Sequence, residues 1–460
     1  MISTTAEYKT AISALSRNIK PKVYIYFDGE SSPPVLFDSD NIAGIDFLEE
    51  VQAEGDNPLG TVSANEIKLT LRNDDHQFNP NNISSTYYGK LTPNLLIKPY
   101  YGIKTNGSFE WISLGSFWTG YWGADSTSVV AEVVCNDRLF ILNQEDVPLI
   151  PTMQNITRYQ VFEALFESLG LTSAEYDIDS ELSNYTVPVA YYPDGDVHKA
   201  LNYLTNAFSC TVFMTRDNIV KVLDNSTTVS SVKTFNDTDL IISSNAPQNF
   251  DEIYSDVEIT YKHHTVGEKA ALLIVNDIVI DAAGVTYTDL KFTSGPIAFV
   301  TDIQITEIPH IAISSFSIGT WGMTIIFTNS ASAEQTVNIE VHGYPLEIVE
   351  NKLTVRDATA YALLGDKARI LPLDNYLVQS YSVANTQANL ILPIVADSKA
   401  YVEANTRGDM SVELADTIKI NDVTNKILNT DIIPIRFKYK YDGGLTCDIK
   451  GIKKSVRDAI

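Results

Sequence analysis

Residues 64–73 read ANEIKLTLRN, and the alternation within this stretch decides the fold class. Ile67, Leu69 and Leu71 alternate with charged and polar side chains, which is the period-two pattern of a strand with one buried face. Similar or aromatic-rich runs flank it at residues 23–27, 45–51, 95–103, 109–122 and 128–135. About six strands in close succession indicate an antiparallel sandwich or barrel. We therefore predict a first tube-like β-domain over residues 21–150.

A short helix is predicted before this domain. In residues 1–20, Tyr8, Ile12 and Leu15 are spaced so that they share one helix face. The chain changes to strand-like alternation at about Pro21, so we expect the helix to end before that residue.

Residues 151–230 predict a small α+β module of two helices and a hairpin. The first helix begins at Thr157, where TRYQ has the spacing of a capping box, and Gly170 ends it. Asp196 is the expected N-cap of the second helix. The turn RDN at residues 216–218 joins two short apolar strands.

Residues 265–341 are rich in Thr, Ile, Val and Phe and predict a β-sandwich inserted into a larger domain. We assign residues 231–264 and 342–460 to that larger domain, a second tube-like β-domain with helices. Its alternating segment 251–262 is expected to pair with the C-terminal strands. The expected strands are 411–414, 417–420, 432–441 and 445–452, and the expected helices are 357–368 and 380–405, the latter bent at Pro393. The predicted fold is thus mainly β with α+β parts.

The composition describes a folded and strongly acidic chain. Of its 460 residues, 44% are hydrophobic, which excludes disorder over most of the length and suggests several domains. The formal net charge is −25, from 33 Lys and Arg against 58 Asp and Glu. This excess argues against a broad basic surface that grips nucleic acid. We expect no membrane span and no secretory signal, because no sufficiently long apolar run is present.

Motifs of catalysis are not found in the sequence. It has no nucleophile elbow, no HExxH and no P-loop. Cys135, Cys210 and Cys447 lie in apolar strand patterns and are expected to be buried. His263 and His264 would point to opposite faces of a strand and could not chelate one metal ion in regular geometry, so we interpret them as a solvated strand end. We expect no enzymatic activity and no catalytic, cofactor-binding or metal-binding residues.

Acidic side chains are the best candidates for chemistry. An alternating carboxylate group could bind Ca²⁺ or act as a glycosidase pair, and it comprises Asp177, Asp179 and Glu181, with Asp194 and Asp196 nearby. Acidic loops beside helices are the alternative, and we favour it because EF-hand spacing is lacking. Turn chemistry likewise explains the Asn-rich loop around Asp74-Asp75-His76.

Aromatic residues concentrate in the first domain and permit two interpretations. Exposed rings would stack on sugars and form a glycan-binding platform. Strands also favour aromatic residues for packing alone, so sheet packing or subunit contact is the alternative. The residues concerned are Tyr87, Tyr88, Tyr100, Tyr101, Trp111, Phe117, Trp118, Tyr121 and Trp122.

The order of several short segments carries more information than any single residue. These segments are ANEIKLTLRN at 64–73, FNPNN at 78–82, YYGKL at 87–91, WISLGSF at 111–117, NDRL at 136–139, VHGYPL at 341–346, DTIKI at 416–420 and YDGGL at 441–445. In this order they resemble the tail hub (baseplate hub) proteins of long-tailed bacteriophages and related phage-tail-like particles. The insert at 265–341 has no counterpart in the family pattern.

The resemblance implies a homotrimer with two tube-like β-domains per subunit. Three subunits would give a pseudo-hexameric ring that adapts a six-fold tail tube to a three-fold spike or fibre. The ring would also gate the channel for DNA and the tape-measure protein, and DNA would pass without specific binding. The implied partners are the tail tube or distal tail protein, the spike or fibre and the tape-measure protein. The implied location is the virion tail tip or baseplate, assembled in the bacterial host cytoplasm.

Other functions remain as alternatives. One is a carbohydrate- or receptor-binding tail protein that uses the aromatic cluster or the inserted sandwich. Others are a hydrolase that uses Asp177, Asp179 and Glu181, and an unrelated multidomain adhesin. If the chain lines a tube for DNA, we expect Asp and Glu to outnumber Lys and Arg on the lumen, because like charges disfavour adhesion to phosphates.

Overall fold

The computed structural model describes residues 1–52, 61–123, 129–225, 230–240, 244–246, 253–306, 308–397 and 400–457. The N-terminal elements are α1 (Ala6–Ser13), β1 (Ile19–Ile25), β2 (Val35–Asp38), β3 (Ile42–Glu50), β4 (Glu66–Arg72), β5 (Leu96–Lys104), β6 (Phe109–Ser113), β7 (Phe117–Gly123), β8 (Val130–Asn136) and α2 (Arg138–Leu142). Ile67, Leu69 and Leu71 are fully buried, as the alternation in β4 predicts.

The next elements form the α+β module. They are β9 (Met153–Thr157), α3 (Arg158–Ser168), β10 (Tyr176–Ile178), β11 (Thr186–Ala190), α4 (Val197–Phe208), β12 (Cys210–Met214) and β13 (Val220–Asp224). Thr157 and Gln160 form the predicted capping box. Asp196 caps α4 by accepting a hydrogen bond from the Lys199 N–H.

The remaining elements include the insert and the C-terminal strands. They are β14 (Ser231–Asn236), β15 (Asp256–Val266), β16 (Ala270–Ile280), β17 (Val285–Lys291), β18 (Ile297–Ile305), β19 (Ile311–Ile318), β20 (Gly322–Asn329), β21 (Gln335–Arg356), α5 (Ala358–Leu364), β22 (Ile370–Asp374), α6 (Tyr381–Ala396), β23 (Tyr401–Thr406), β24 (Thr417–Asp422), β25 (Ile427–Tyr441), β26 (Leu445–Lys453) and α7 (Lys454–Arg457).

The N-terminal and C-terminal strands belong to one sheet. Among the described residues it has 13 strands in the order β14-β24-β25-β3-β4-β8-β7-β5-β1-β2, with β26 joined to β25, β23 joined to β26 and β6 joined to β5. The antiparallel pairing of β3 with β25 places Phe47 opposite Tyr439. One hydrophobic core lies behind both halves of the sheet. The two β-regions of the chain are therefore continuous through the pairing of β3 with β25, which we call the seam.

The insert has a core of its own. Strands β17, β20 and β19 form one sheet, and β16 and β18 flank the first part of β21 in the other. Met323, Ile325 and Phe327 from the first sheet pack with Val337 and Ile339 from the second. The two sheets thus enclose a small apolar core, as a sandwich does.

The segment predicted at 251–262 has different partners from those expected. Its described part, β15, pairs antiparallel with β21 and parallel with β22, not with the C-terminal strands. The ladder with β21 is unbroken from Asp256 opposite Arg356 to Val266 opposite Leu346. The insert leaves the chain after β15 and ends in β21, so the folded insert brings β21 beside β15.

Three further expectations at the level of elements are wrong. The helix predicted over 380–405 ends at Ala396, since the alternating residues of β23 pair with β26. Residues 411–414 form turns and irregular structure, not a strand. Leu15 was expected on the buried face of the first helix, but α1 ends at Ser13 and Leu15 is 85% exposed.

Candidate assembly surface

One side of the large sheet faces away from the core and carries polar side chains across the seam. The registers place Lys440 opposite Asp46, and Asp46 opposite Lys68 on the next strand. We call this side the polar face. Its charged residues include Asp46, Glu66, Lys68, Arg72, Glu132, Glu403, Arg436, Lys438, Lys440, Asp448 and Lys450.

Charges of both signs occur on the polar face. Lys68 Nζ lies 2.8 Å from Glu132 Oε1, an ion pair between neighbouring strands. Basic side chains are at least as frequent as acidic ones here, although the whole chain carries −25. The excess of Asp and Glu expected on a channel wall therefore does not hold for this face, and the acid excess lies on other parts of the chain.

Aromatic side chains hold the seam from the core side. Phe47 stacks on Tyr439 with ring centroids 5.9 Å apart, and Phe117 meets Phe47 edge-on at 5.8 Å. The Tyr439 hydroxyl donates a hydrogen bond to the Asp409 carbonyl oxygen at 3.1 Å. The seam is thus a fully packed part of the core.

Arg216 enters this seam from the tip of the β12–β13 hairpin. Its Nε donates to Glu49 Oε1 at 2.8 Å, and its Nη2 donates to Glu49 Oε2. The guanidinium also donates to the carbonyl oxygens of Met410 and Val412. The exposed fractions of the Arg216 and Glu49 side chains are 3% and 2%. Burial raises the pKa of Glu49, and the Arg216 guanidinium opposes that rise.

The Arg216–Glu49 pair was missed in the sequence, where residues 216–218 indicate only a turn. A charged residue in a turn is ordinarily solvated, so nothing local marks this one as buried. The pair ties the α+β module to the N-terminal half of the sheet through Glu49 and to the C-terminal region through Met410 and Val412.

Asp137, in the motif NDRL, caps helix α2 and is 1% exposed. Its carboxylate accepts hydrogen bonds from the backbone N–H groups of Asn65 and Phe140, at 2.8 and 3.1 Å. Burial raises the pKa of Asp137 to about 7, against the opposing effect of these N–H groups. Asn65 donates in turn to the Met214 carbonyl oxygen. This motif is therefore a structural junction between the sheet and the module.

The Asn-rich loop is held by turn chemistry, as predicted. Asn73 is fully buried, and its side-chain oxygen accepts from the Phe78 N–H at 2.9 Å. Asp75 accepts from the Gln77 N–H, which closes a second turn of the same kind. The loop thereby brings Phe78 onto the aromatic core.

Most of the aromatic candidates pack within or against the sheet. Tyr101, Phe117 and Trp122 are buried, and Phe78 stacks on Tyr87 and Trp122 at 5.3 and 6.2 Å. On the outer side, Lys22 Nζ lies 4.3 Å from the Trp111 ring and 4.9 Å from the Tyr100 ring. Tyr88 and Tyr121 are the exposed members, while Trp118 is half-buried. This distribution favours packing over a glycan-binding platform.

Each candidate carboxylate has its own structural partner. Asp177 pairs with Lys221 at 2.5 Å, and Asp194 pairs with Lys291 at 2.8 Å. Asp179 and Asp196 accept backbone N–H groups at helix starts, and Glu181 accepts from the Asn184 side chain. Within the described ranges, no group of three or more His, Cys, Asp or Glu is arranged to hold a metal ion.

The cysteines lie as predicted, whereas the solvated strand end expected for the histidines is wrong for His264. Cys135, Cys210 and Cys447 are buried and free, and burial raises the pKa of each thiol. His263 is exposed and His264 is buried, so the two project to opposite sides of β15.

His264 belongs to the joint between the insert and the rest of the chain. Its Nε2 lies 3.0 Å from the Tyr191 hydroxyl, and burial lowers its pKa to about 4. Tyr191 stacks on Tyr376 at 4.4 Å. From the insert, Trp321 Nε1 donates to the Tyr192 carbonyl oxygen at 2.7 Å. The joint is therefore a small packed contact with specific hydrogen bonds.

A membrane-spanning helix is not found in the described part of the chain, where each helix is too short or too polar for that role.

Comparison by sequence identifies no matching family model and no matching curated protein. Comparison by structure does find similar folds. The 43 kDa tail protein of prophage MuSo2 from Shewanella oneidensis aligns with a TM-score of 0.53 and 10% identity, over 95% of this chain and 100% of that one. A tail protein from Neisseria meningitidis MC58 aligns with a TM-score of 0.51 and 9% identity, over 96% and 99%. The chain therefore has the fold of these phage-type tail proteins, which agrees with the resemblance of its short segments.

Proposed function

We propose that the protein is a structural subunit of a phage tail or of a related tail-like particle, and that it forms a trimeric hub ring at the tail tip or baseplate. The observation that carries this proposal is a fold shared over nearly the whole length of two tail proteins. A role carried by the whole fold suits a structural component, and no enzymatic step is part of the proposal.

The large sheet supports a role as a wall element. It joins both β-regions of the chain without interruption, so a subunit contributes two neighbouring β-regions as one rigid piece. Three subunits would contribute six such regions, which matches a six-fold tube on one side and a three-fold spike or fibre on the other. Strands β14 and β2 end the strand order in the described residues, and they supply the edges through which a ring would close.

The polar face suits a channel through which other molecules pass. Both basic and acidic side chains lie on this face, and Lys68 and Glu132 form an ion pair between neighbouring strands there. On this proposal the tape-measure protein and DNA move past it without specific binding. The tail tube or distal tail protein and the spike or fibre are the proposed neighbours, in a virion assembled in the host cytoplasm.

Particle imaging tests the proposal. A label on the chain should appear at the tail tip or baseplate, and averaged images should show three copies around the axis. A label elsewhere on the particle, or a ring with a different number of copies, would overturn the hub. As an independent measurement, mass photometry of the purified chain mixed with its tail neighbours should give the mass of a complex with three copies of the chain.

A further inference from the structure

The insert presents a mixed aromatic and polar surface to solvent. It consists of Phe299, Asp302, Gln304, Glu340, His342 and Tyr344, and we call it the open face. The registers of β18 and β21 pair these residues two by two, and paired residues project to the same side of a sheet. The residues between them on β21, such as Val341, face the sandwich core instead.

One end of the open face is aromatic. The Phe299 and Tyr344 rings lie 4.8 Å apart with an angle of 36° between their planes. Phe299 is 45% exposed, and Tyr344 is half-buried against the joint. The pair therefore offers a supported apolar ring surface directly to solvent.

The other end of the open face is polar and ordered. His342 Nε2 lies 2.9 Å from Glu340 Oε1, and Gln304 Nε2 donates to Asp302 Oδ2 at 2.5 Å. These contacts pair the side chains two by two and leave each group with further donor or acceptor positions. From residue 340 to residue 344 the strand rises about 13 Å, which is long enough for a short run of sugar rings.

We propose that the open face binds a neutral saccharide chain. The apolar side of a sugar ring would stack on Phe299 and Tyr344, and its hydroxyl groups would exchange hydrogen bonds with the carboxylates, the amide and the imidazole. Asp302, Glu340 and the net charge of −25 disfavour an anionic glycan. A protein partner is disfavoured because the centres of protein interfaces are depleted in charged residues, whereas two carboxylates, Asp302 and Glu340, lie on this face.

The binding measurement is native affinity electrophoresis of the full chain in gels that contain mannan, galactan, dextran or starch, with polygalacturonate as the anionic comparison. At least one neutral polysaccharide should retard the chain. Phe299→Ala and Asp302→Ala should each weaken that retardation about tenfold. Phe316→Ala is the matched control, because Phe316 is 52% exposed on the other sheet of the insert and should have no effect.

Three results would overturn the saccharide site. They are mobility unaffected by all four neutral polysaccharides, equal retardation of Phe299→Ala and the parent chain, and stronger retardation by polygalacturonate. Each of these results leaves the hub proposal intact, since that proposal is tested by the position of the chain in the particle.

Discussion

At the tip of the β12–β13 hairpin, a guanidinium lies where an apolar side chain would be the ordinary choice. Arg216 meets Glu49 in the core and satisfies two backbone carbonyl groups of the C-terminal region. A buried ion pair of this kind contributes little net stability, yet the loss of one partner leaves an uncompensated charge. The pair therefore makes the attachment of the module specific.

Replacement of Arg216 with Met should lower the stability of the seam by about 3–5 kcal/mol, because Glu49 would remain buried without its partner. Hydrogen exchange of the β3 and β25 amides measures this free energy. Lys221→Met, in the same hairpin, removes the exposed pair with Asp177 and should cost less than about 1 kcal/mol. Equal losses in the two variants would contradict the prediction. The double variant Glu49→Leu with Arg216→Met should recover most of the loss.

His264 predicts a pH dependence for the joint of the insert. Its pKa is about 4 in the folded chain, below the value of about 6.5 expected when the chain is unfolded. The unfolded state therefore binds the proton first, and stability present above about pH 6.5 is lost as the pH falls toward 4, by up to about 1.4 kcal/mol per pH unit. Hydrogen exchange at β15 and β21 between about pH 7 and pH 5 measures the slope.

Two substitutions isolate the contribution of His264. His264→Phe removes the titrating group and should reduce the slope in this pH range, whereas His263→Gln changes its exposed neighbour and should leave it unchanged. A slope that is identical in the parent and in His264→Phe would show that other groups cause it.

At the scale of elements, what could be predicted from the sequence was local. The strand β4, the capping box at Thr157 and the N-cap Asp196 follow from residues within a few positions of one another. The pairing of β3 with β25 and of β15 with β22 joins distant segments. The alternating pattern of a strand does not depend on its partner, so it cannot identify that partner. A carbohydrate role for the inserted sandwich was one alternative from the sequence, but the residues of the open face could not be predicted, because they come together only through the register of β18 against β21.

The close pairing of β18 with β21 gives a prediction for the stability effect of a substitution at one glycine. A Cβ atom at Gly343 would collide with the Phe299 carbonyl oxygen and approach Leu272 Cδ1 to 2.7 Å. Gly343→Ala should therefore destabilise the insert by about 1–3 kcal/mol, measured by hydrogen exchange in β18. Gly444→Ala is the control, since nothing lies within 4 Å of its Cβ position, and it should change stability by less than about 0.5 kcal/mol. Similar effects of the two substitutions would refute the argument.

At the scale of the whole molecule, the insert and the large sheet have separate hydrophobic cores. The insert has its own core and meets the rest of the chain through the β15–β21 ladder, the joint around Tyr191, the Lys291–Asp194 ion pair and hydrogen bonds from Thr320 to the Ile150 carbonyl oxygen. The division of the chain into domains remains a prediction from the sequence. A deletion can test its most distinct boundary.

The ladder register shows where that deletion can be made. Val266 lies opposite Leu346, so a two-residue Asn-Gly turn in place of residues 267–345 would close β15 and β21 as a hairpin. The shortened chain should form the same oligomer as the parent with its tail neighbours, measured by mass photometry. Replacement of β3 residues 46–48 with Pro, which breaks the seam, is the contrasting variant and should abolish assembly. Loss of assembly in the shortened chain would show that the insert is part of the ring.

The seam between β3 and β25 also determines when during synthesis the large sheet can be completed. Strand β3 leaves the ribosome early, but the strand that covers its edge is made only near the end of synthesis. Until then the edge of β3 lacks its partner strand and Phe47 lacks Tyr439, so the pairing that joins the two halves of the sheet forms only after β25 is made. A chain that stops before β25 keeps an open strand edge, the usual starting point of aggregation. Prematurely terminated chains are thereby excluded from any assembly that is built on the finished sheet.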